Sequence, residues 1–270
     1  MHKNNFVLIR GGGDLATGVA LRLHRAGIKV MITELAQPLA VRRAVSFSEA
    51  VYEGSHTVEG VTSRLIEADQ FSAWNDADEI PVIVDPDVQV PKIFPVPVVI
   101  DARLIKTPPA PLPTEVPLHI GLGPGFHAGR DCHAVIETRR SHTLGRVYWT
   151  GTTQPDSGEP EGDPRRVLRA PSGGIIVGQK NIGEHCEEGE VVAVVGDRVP
   201  VISPFRGVLR GLIRSGLNVD KGLKIGDVDA RGDASVCFLV SDKSLAIGGG
   251  ALEAVLSRAE IRERLYSSPA

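Results

Sequence analysis

The chain has 270 residues, of which 42% are hydrophobic and 23% charged, with a formal net charge of -3. That composition describes a globular protein of one large or two modest domains. It argues against nucleic-acid binding, since no Arg/Lys-rich run or basic stripe appears. It also argues against a membrane span, because the longest purely apolar runs, such as Val96–Ile100, are only strand-sized. Cys132, Cys186 and Cys237 are widely separated and odd in number, which fits a reducing cytoplasm and no disulfide framework. No leader is read ahead of the first strand.

In chain order, the β-branched run Phe6–Arg10 enters the turn Gly11-Gly12-Gly13. Leu15, Val19 and Leu23, with Ala16 and Ala20, then mark one apolar helix face that stops at Ala26-Gly27. Ile28–Thr33 reads as a second strand ending at Glu34. Further buried strands are expected at Pro81–Val84 and Val96–Ile100, each followed by an aspartate, with helix-like material between them over Glu67–Asp78. The proline-rich stretch Thr107–Pro117 is irregular. A strand over Leu118–Gly121 then runs into Gly121-Leu-Gly123-Pro-Gly125, and 133–138 and 146–150 read as strands again. Strands alternating with helices imply a largely parallel sheet. The acidic, Gly/Pro-rich stretch Thr152–Arg166 is the best domain boundary.

Past that boundary the chain repeats itself. Gly174, Gly183, Gly189 and Val192 recur as Gly207, Gly216, Gly222 and Ile225, at a constant offset, and each half reads as short strands with glycine turns. The pattern resembles the barrel-sandwich hybrid domains of biotinyl and lipoyl carriers. The hairpin Val195–Val199 holds no lysine, however, so covalent biotin or lipoate is not expected. The expected fold is therefore α/β: a Rossmann-like parallel sheet domain over 1–151, a small all-β barrel-sandwich-hybrid-like domain over 165–235, and a C-terminal strand and helix over 236–265 packing back on the first domain. In this last segment Gly248-Gly249-Gly250 is expected to precede the helix, since glycines in a helix interior cost roughly 1 kcal/mol each.

Several residues could carry chemistry. Gly11, Gly13 and Ala16 fit a G-x-G-x-x-G/A fingerprint, with Gly12 between them, and Glu34 lies where an acid accepts a ribose hydroxyl. Asp14 and Thr17 complicate that reading. An acid beside the glycines repels a pyrophosphate, and Asp14 can instead cap the helix. A dinucleotide turn and a turn that binds nothing both remain open. The second glycine loop (Gly121, Gly123, Gly125) is followed by Asp131, His133, Glu137, Arg139, Arg140 and His142, a set that could line a substrate or phosphate pocket or could simply be solvated. No metal-ligand spacing, G-x-S-x-G elbow or Walker lysine is present, so no metal is expected and no catalytic residue is assigned.

Gly11–Gly18, Pro38–Gly54, Gly121–Phe126 with Val135–Thr138, Leu144–Val147, Lys224–Asp229 and Ile247–Glu253 together resemble the YqeB-type accessory proteins of the selenium-dependent molybdenum hydroxylase system. The Ile247-Gly-Gly-Gly-Ala-Leu-Glu253 motif is also similar to one in the xanthine dehydrogenase accessory (XdhC/CoxI) family. The resemblance implies a maturation or cofactor-handling protein, non-catalytic or weakly catalytic. Such a protein would hold a nucleotide or molybdopterin-type cofactor at Gly11, Gly12, Gly13, Asp14, Thr17, Glu34, Gly121, Gly123, Gly125 and Gly248–Gly250, and would deliver it to a molybdenum hydroxylase client. Two alternatives stand beside it: an NAD-dependent oxidoreductase, and a protein-docking scaffold without ligand. A homo-oligomer is compatible with all three.

Overall fold

Strands buried on both faces need apolar side chains at every position, and the first strands have them. In the computed structural model, which describes residues 5–72, 74, 78–159 and 162–266, chain order runs β1 (Val7–Arg10), α1 (Asp14–Arg25), β2 (Val30–Glu34), α2 (Ala50–Glu53), β3 (Ser55–Val58), β4 (Val61–Leu65), β5 (Glu79–Val84), α3 (Val90–Ile93), β6 (Val98–Asp101), β7 (Leu118–Leu122), β8 (Ala134–Ile136) and β9 (Val147–Tyr148). These nine strands form one sheet in the order β3-β4-β5-β2-β1-β6-β7-β8-β9. The central pairs are parallel, with Val7 opposite Val30 and Val98. The outer pairs β3-β4 and β8-β9 are antiparallel.

Val7, Ile9, Val98 and Ile100 face a core shared with Leu15, Val19 and Leu23 of α1. Phe6, Leu8, Met31 and Val99 face the opposite way, onto Ile66, Phe71, Val88, Val96 and Val116. That second face is covered by loops, a 3-10 run over Ala68–Ser72 and the four-residue α3. The helix expected over Glu67–Asp78 is reduced to this 3-10 run, and positions 73 and 75–77 lie outside the described residues.

The rest of the chain folds as β10 (Val167–Arg169), β11 (Gly174–Gly178), β12 (His185–Cys186), β13 (Val191–Val195), β14 (Val199–Ile202), β15 (Gly207–Leu212), β16 (Asn218–Val219) and β17 (Lys224–Asp229), then α4 (Asp242–Leu256) and α5 (Ala259–Tyr266). The strands make two four-stranded antiparallel sheets, β10-β17-β15-β12 and β14-β13-β11-β16, around a core of their own. The halves exchange their short strands: β12 pairs with β15, and β16 with β11.

The expected Rossmann-like domain followed by a barrel-sandwich-hybrid-like domain and a C-terminal helix is therefore corrected. The main sheet is large and mixed, and among the described residues only one of its faces carries long helices. One of those helices, α4, comes from the C-terminal part of the chain and is laid along α1 as part of the same core. Apolar runs announce buried strands but not their direction. The polar Ser55–Leu65 hairpin that makes one end antiparallel has no apolar run at all.

The glycine run of α4 is also corrected. Gly248, Gly249 and Gly250 sit inside the helix, not ahead of it. A Cβ at Gly248 would stand 2.5 Å from the Gly18 carbonyl oxygen, and one at Gly250 would stand 2.1 Å from that of Gly145. These glycines let α4 touch the backbone of α1 and of the loop before β9. The stretch Ala234–Leu256 is long and apolar enough by composition to span a membrane, with mean hydropathy 1.2. In the fold it is split into a 3-10 turn over Ala234–Phe238 and the packed α4.

Candidate functional site

Order reverses on either side of β1: the chain builds β2 and β5 on one flank and then returns to place β6 and β7 on the other. In open α/β sheets such a switch leaves a crevice beyond the carboxyl ends of the strands. Here the crevice holds a pocket of about 310 Å³ lined by Arg10, Thr33, Glu34, Leu35, Asp85 and Leu104, among others. Leu35 and Leu39 are exposed at its rim. Inside it, Thr33 Oγ1 and Arg10 Nε are buried without hydrogen-bond partners.

Gly11 and Gly13 border this pocket, but the turn is already occupied. The Gly12 N–H donates to Glu34 Oε1 at 2.7 Å, and the Leu35 N–H donates to Glu34 Oε2 at 2.6 Å. Burial pushes the Glu34 carboxyl up, while these two N–H donors pull it back. The carboxylate that the fingerprint reserves for a ribose instead closes its own turn. Asp14 makes no cap to α1; it stands 3.6 Å from Arg42 Nη1. Thr17 is buried, donating to the Gly13 carbonyl at 3.0 Å and accepting from the Phe47 N–H at 2.9 Å, which is a packing role.

The second glycine loop stays apart from this crevice. A Cβ at Gly121 would lie 2.2 Å from the Phe126 ring, one at Gly125 2.4 Å from the Ile105 carbonyl oxygen, and one at Gly123 3.0 Å from Thr138 Oγ1. The loop is filled by protein. The polar residues after it do not converge either. Glu137 is buried and accepts the N–H groups of Arg139 and Gln154, both at 2.8 Å. His133 lies at the other end of β8, where its Nδ1 accepts the His119 N–H at 2.9 Å. Asp131 pairs with Arg130, Arg140 with Asp242, and His142 is exposed. Among the described residues no group of three His, Cys, Asp or Glu side chains could hold a metal.

A wider cavity, about 710 Å³, opens where the main sheet meets the C-terminal β unit, and it shares Gly13, Asp14, Leu15, Leu39, Ala40 and Leu104 with the smaller pocket. Its lining sets seven arginines and lysines against four aspartates, in a chain whose net charge is negative. Two of those aspartates lie on β17. Asp227 accepts Arg166 Nη1 at 2.7 Å and lies 3.7 Å from Lys224 Nζ. Asp229 is held at about 2 by its hydrogen bond with Arg231. Burial lowers the Lys224 ammonium, against the pull of Asp227.

The segment carrying Arg42 docks the two units together: Arg43 Nε donates to the Leu212 carbonyl at 3.0 Å, and Arg214 bonds Glu49 at 2.8 Å. Sequence reasoning missed this cavity. Arg42 and Arg210 belong to no spaced motif; the signal was that Pro38–Gly54 and Lys224–Asp229, which both supply lining residues, fell among the stretches carrying the resemblance.

No family model matches the chain. It is 43% identical, over 258 residues, to the uncharacterized protein YqeB of Escherichia coli (strain K12), an alignment covering 94% of this chain and 48% of that protein. The chain thus spans about half the length of the relative it matches. Among solved structures, it is similar to an aspartoacylase family protein of Mesorhizobium loti (14% identity, TM-score 0.27, covering 83% of this chain and 84% of that one). It is also similar to the ectoine utilization protein EutE (DoeB) of Ruegeria pomeroyi (19% identity, TM-score 0.23, covering 30% and 27%). A succinylglutamate desuccinylase/aspartoacylase of Rhodobacter sphaeroides gives 18% identity and a TM-score of 0.22, covering 29% and 28%. None of these three is a Rossmann-type or XdhC protein by name, and with TM-scores of 0.22 to 0.27 they carry no argument about the fold. The XdhC likeness is withdrawn.

Proposed function

We propose that this chain is a cofactor-handling protein that holds a phosphorylated nucleotide- or pterin-type ligand along the crevice and passes it to a molybdenum hydroxylase. One observation carries the ligand reading: a small, largely apolar pocket opens directly into a wide basic cavity. A planar heterocycle suits the first, between Leu35, Leu39 and Leu104, with Thr33 Oγ1 and Arg10 Nε as unmet polar groups for its edge. A phosphorylated tail suits the second. The client rests on the sequence resemblance alone. The three cysteines are free and buried, which suits the cytoplasm as the place of action.

The test is mass spectrometry of small molecules released from natively purified protein, followed by thermal-shift measurements with whatever is found and with NAD, cytidine nucleotides and pterin phosphates. A co-purifying phosphorylated heterocycle that raises Tm on re-addition is the expected result. Protein that releases no such compound and responds to none of them overturns the reading.

A further inference from the structure

Arg42 is only 7% exposed, yet much of its hydrogen-bonding capacity is unused. Its Nη2 donates to the Leu239 carbonyl at 3.0 Å and the Val236 carbonyl at 3.4 Å, which fixes the guanidinium in place. Its buried Nε and Nη1 make no hydrogen bond, Nη1 having only the Asp14 carboxylate at 3.6 Å, and the residue lines the basic cavity. Buried donors are seldom left unmatched without a reason. Arg210, which lines the same cavity, repeats the situation: its Nε is buried without a hydrogen-bond partner, 3.9 Å from Asp229. Burial and the neighbouring charge of Arg210 both disfavour the Arg42 cation. Two arginines that line one cavity, each keeping donors without a hydrogen-bond partner, supply the chemistry of an oxyanion receptor.

The glycine turn is a poor rival for that role. Its Gly12 N–H is already bonded to Glu34, and the Glu34 and Asp14 carboxylates both border the turn and repel an anion. We infer that Arg42 and Arg210 form a binding site for a phosphate or pyrophosphate group at the junction of the two units, so that the anionic end of the ligand lies there and not on the glycine turn. This rests on the crevice reading above. Arg42 precedes the 3-10 turn Arg43–Val45 of the sheet unit, whereas Arg210 lies on β15 of the β unit. An anion held by both therefore ties the two units together.

The probe is inorganic pyrophosphate, titrated calorimetrically into the full chain and, in parallel, scored by thermal shift. Wild type is expected to bind it with a rise in Tm. Arg42→Gln and Arg210→Gln each weaken it by about tenfold or more. Asp14→Asn, which removes the acid beside Arg42 Nη1, tightens it. Lys92→Gln, a distant surface charge change, leaves it as in wild type. Should Arg42→Gln fail to fold, Arg210→Gln and Asp14→Asn decide. Arginine variants that bind as well as wild type, or Lys92→Gln weakening binding as much as they do, overturn the site. If nucleotides bind and neither arginine matters, this assignment fails while the crevice reading stands. If pyrophosphate needs both arginines and no nucleotide binds, the site stands without that reading.

Discussion

Two turns of nearly the same composition leave the carboxyl ends of parallel strands in this molecule, Gly11–Gly13 after β1 and Gly121–Gly125 after β7, and they have opposite surroundings. Around the second, the missing side chains are replaced by Phe126 and by the Ile105 carbonyl. Around the first, Gly12 is packed, a Cβ there standing 3.0 Å from the Ser48 nitrogen, but Gly13 faces open space and the turn borders both cavities. Glycine permits the close approach of something. Whether that something is a ligand or the protein's own backbone depends on the element across from it. Gly248 and Gly250 repeat the lesson inside a helix, where the partners are Gly18 and Gly145.

The contrast is most directly broken by adding methyl groups. Gly121→Ala and Gly125→Ala should each cost about 3 kcal/mol in urea denaturation, because a ring root and a carbonyl cannot move aside. Gly13→Ala, at φ -66° with nothing within 4 Å of the new atom, should change stability by under about 0.5 kcal/mol. Equal costs at Gly13 and Gly121 would erase the distinction.

His119, packed edge-on to Phe126 beneath the second loop, sharpens it further. Burial holds this imidazole down at about 4, against an ordinary value of 6.5. A lowered folded-state value means that only the unfolded chain takes up the proton between those two points. Stability is therefore complete above pH 6.5 and falls by roughly 3 kcal/mol as pH drops toward 4. His119→Gln should remove most of that slope in denaturation curves measured across the range.

Within α4 the same contrast can be read one residue apart. Gly248→Ala pushes a methyl into the Gly18 carbonyl and should cost about 2 kcal/mol. Gly249→Ala meets nothing within 4 Å and should gain up to about 1 kcal/mol from helix propensity. The smallest effect is expected at Arg140, which pairs with Asp242 at the start of α4 and not with a ligand pocket of the second loop. Its hydrogen bond holds the Asp242 carboxyl at about 2, so that contribution is present above the ordinary 3.8 and lost as pH falls through 2. Arg140→Gln should return Asp242 toward 3.8 in an NMR titration. The stability change should stay under about 1 kcal/mol, since Asp242 is largely exposed and screened.

Much of the strand framework is legible in the amino-acid sequence. The runs ending at Arg10, Glu34, Val84, Asp101 and Leu122 are mainly apolar because both faces of the sheet are covered, and the helix over Asp14–Arg25 shows its apolar stripe plainly. The 33-residue repeat reappears as matched strand starts, Gly174 with Gly207, His185 with Asn218 and Val191 with Lys224. The antiparallel ends of the sheet are not legible, nor is a second face without long helices, because strand direction and layer covering leave no local periodicity. At the site, Gly11, Gly13 and Glu34 are legible as a constellation, but the Gly12–Glu34 hydrogen bond that closes it is not.

By itself the sequence determined which segments must be buried, where the chain must turn, and that the last third is built as two similar halves. Those properties follow from local hydrophobic pattern and backbone freedom. Only the tertiary structure decided that Gly248–Gly250 serve helix packing, that Phe126 fills the second loop, and that Arg42 and Arg210, 168 positions apart, share one cavity. A charge cluster assembled across two units has no spacing to read. It exists only once the Arg42–Glu53 segment has docked the β unit onto the sheet.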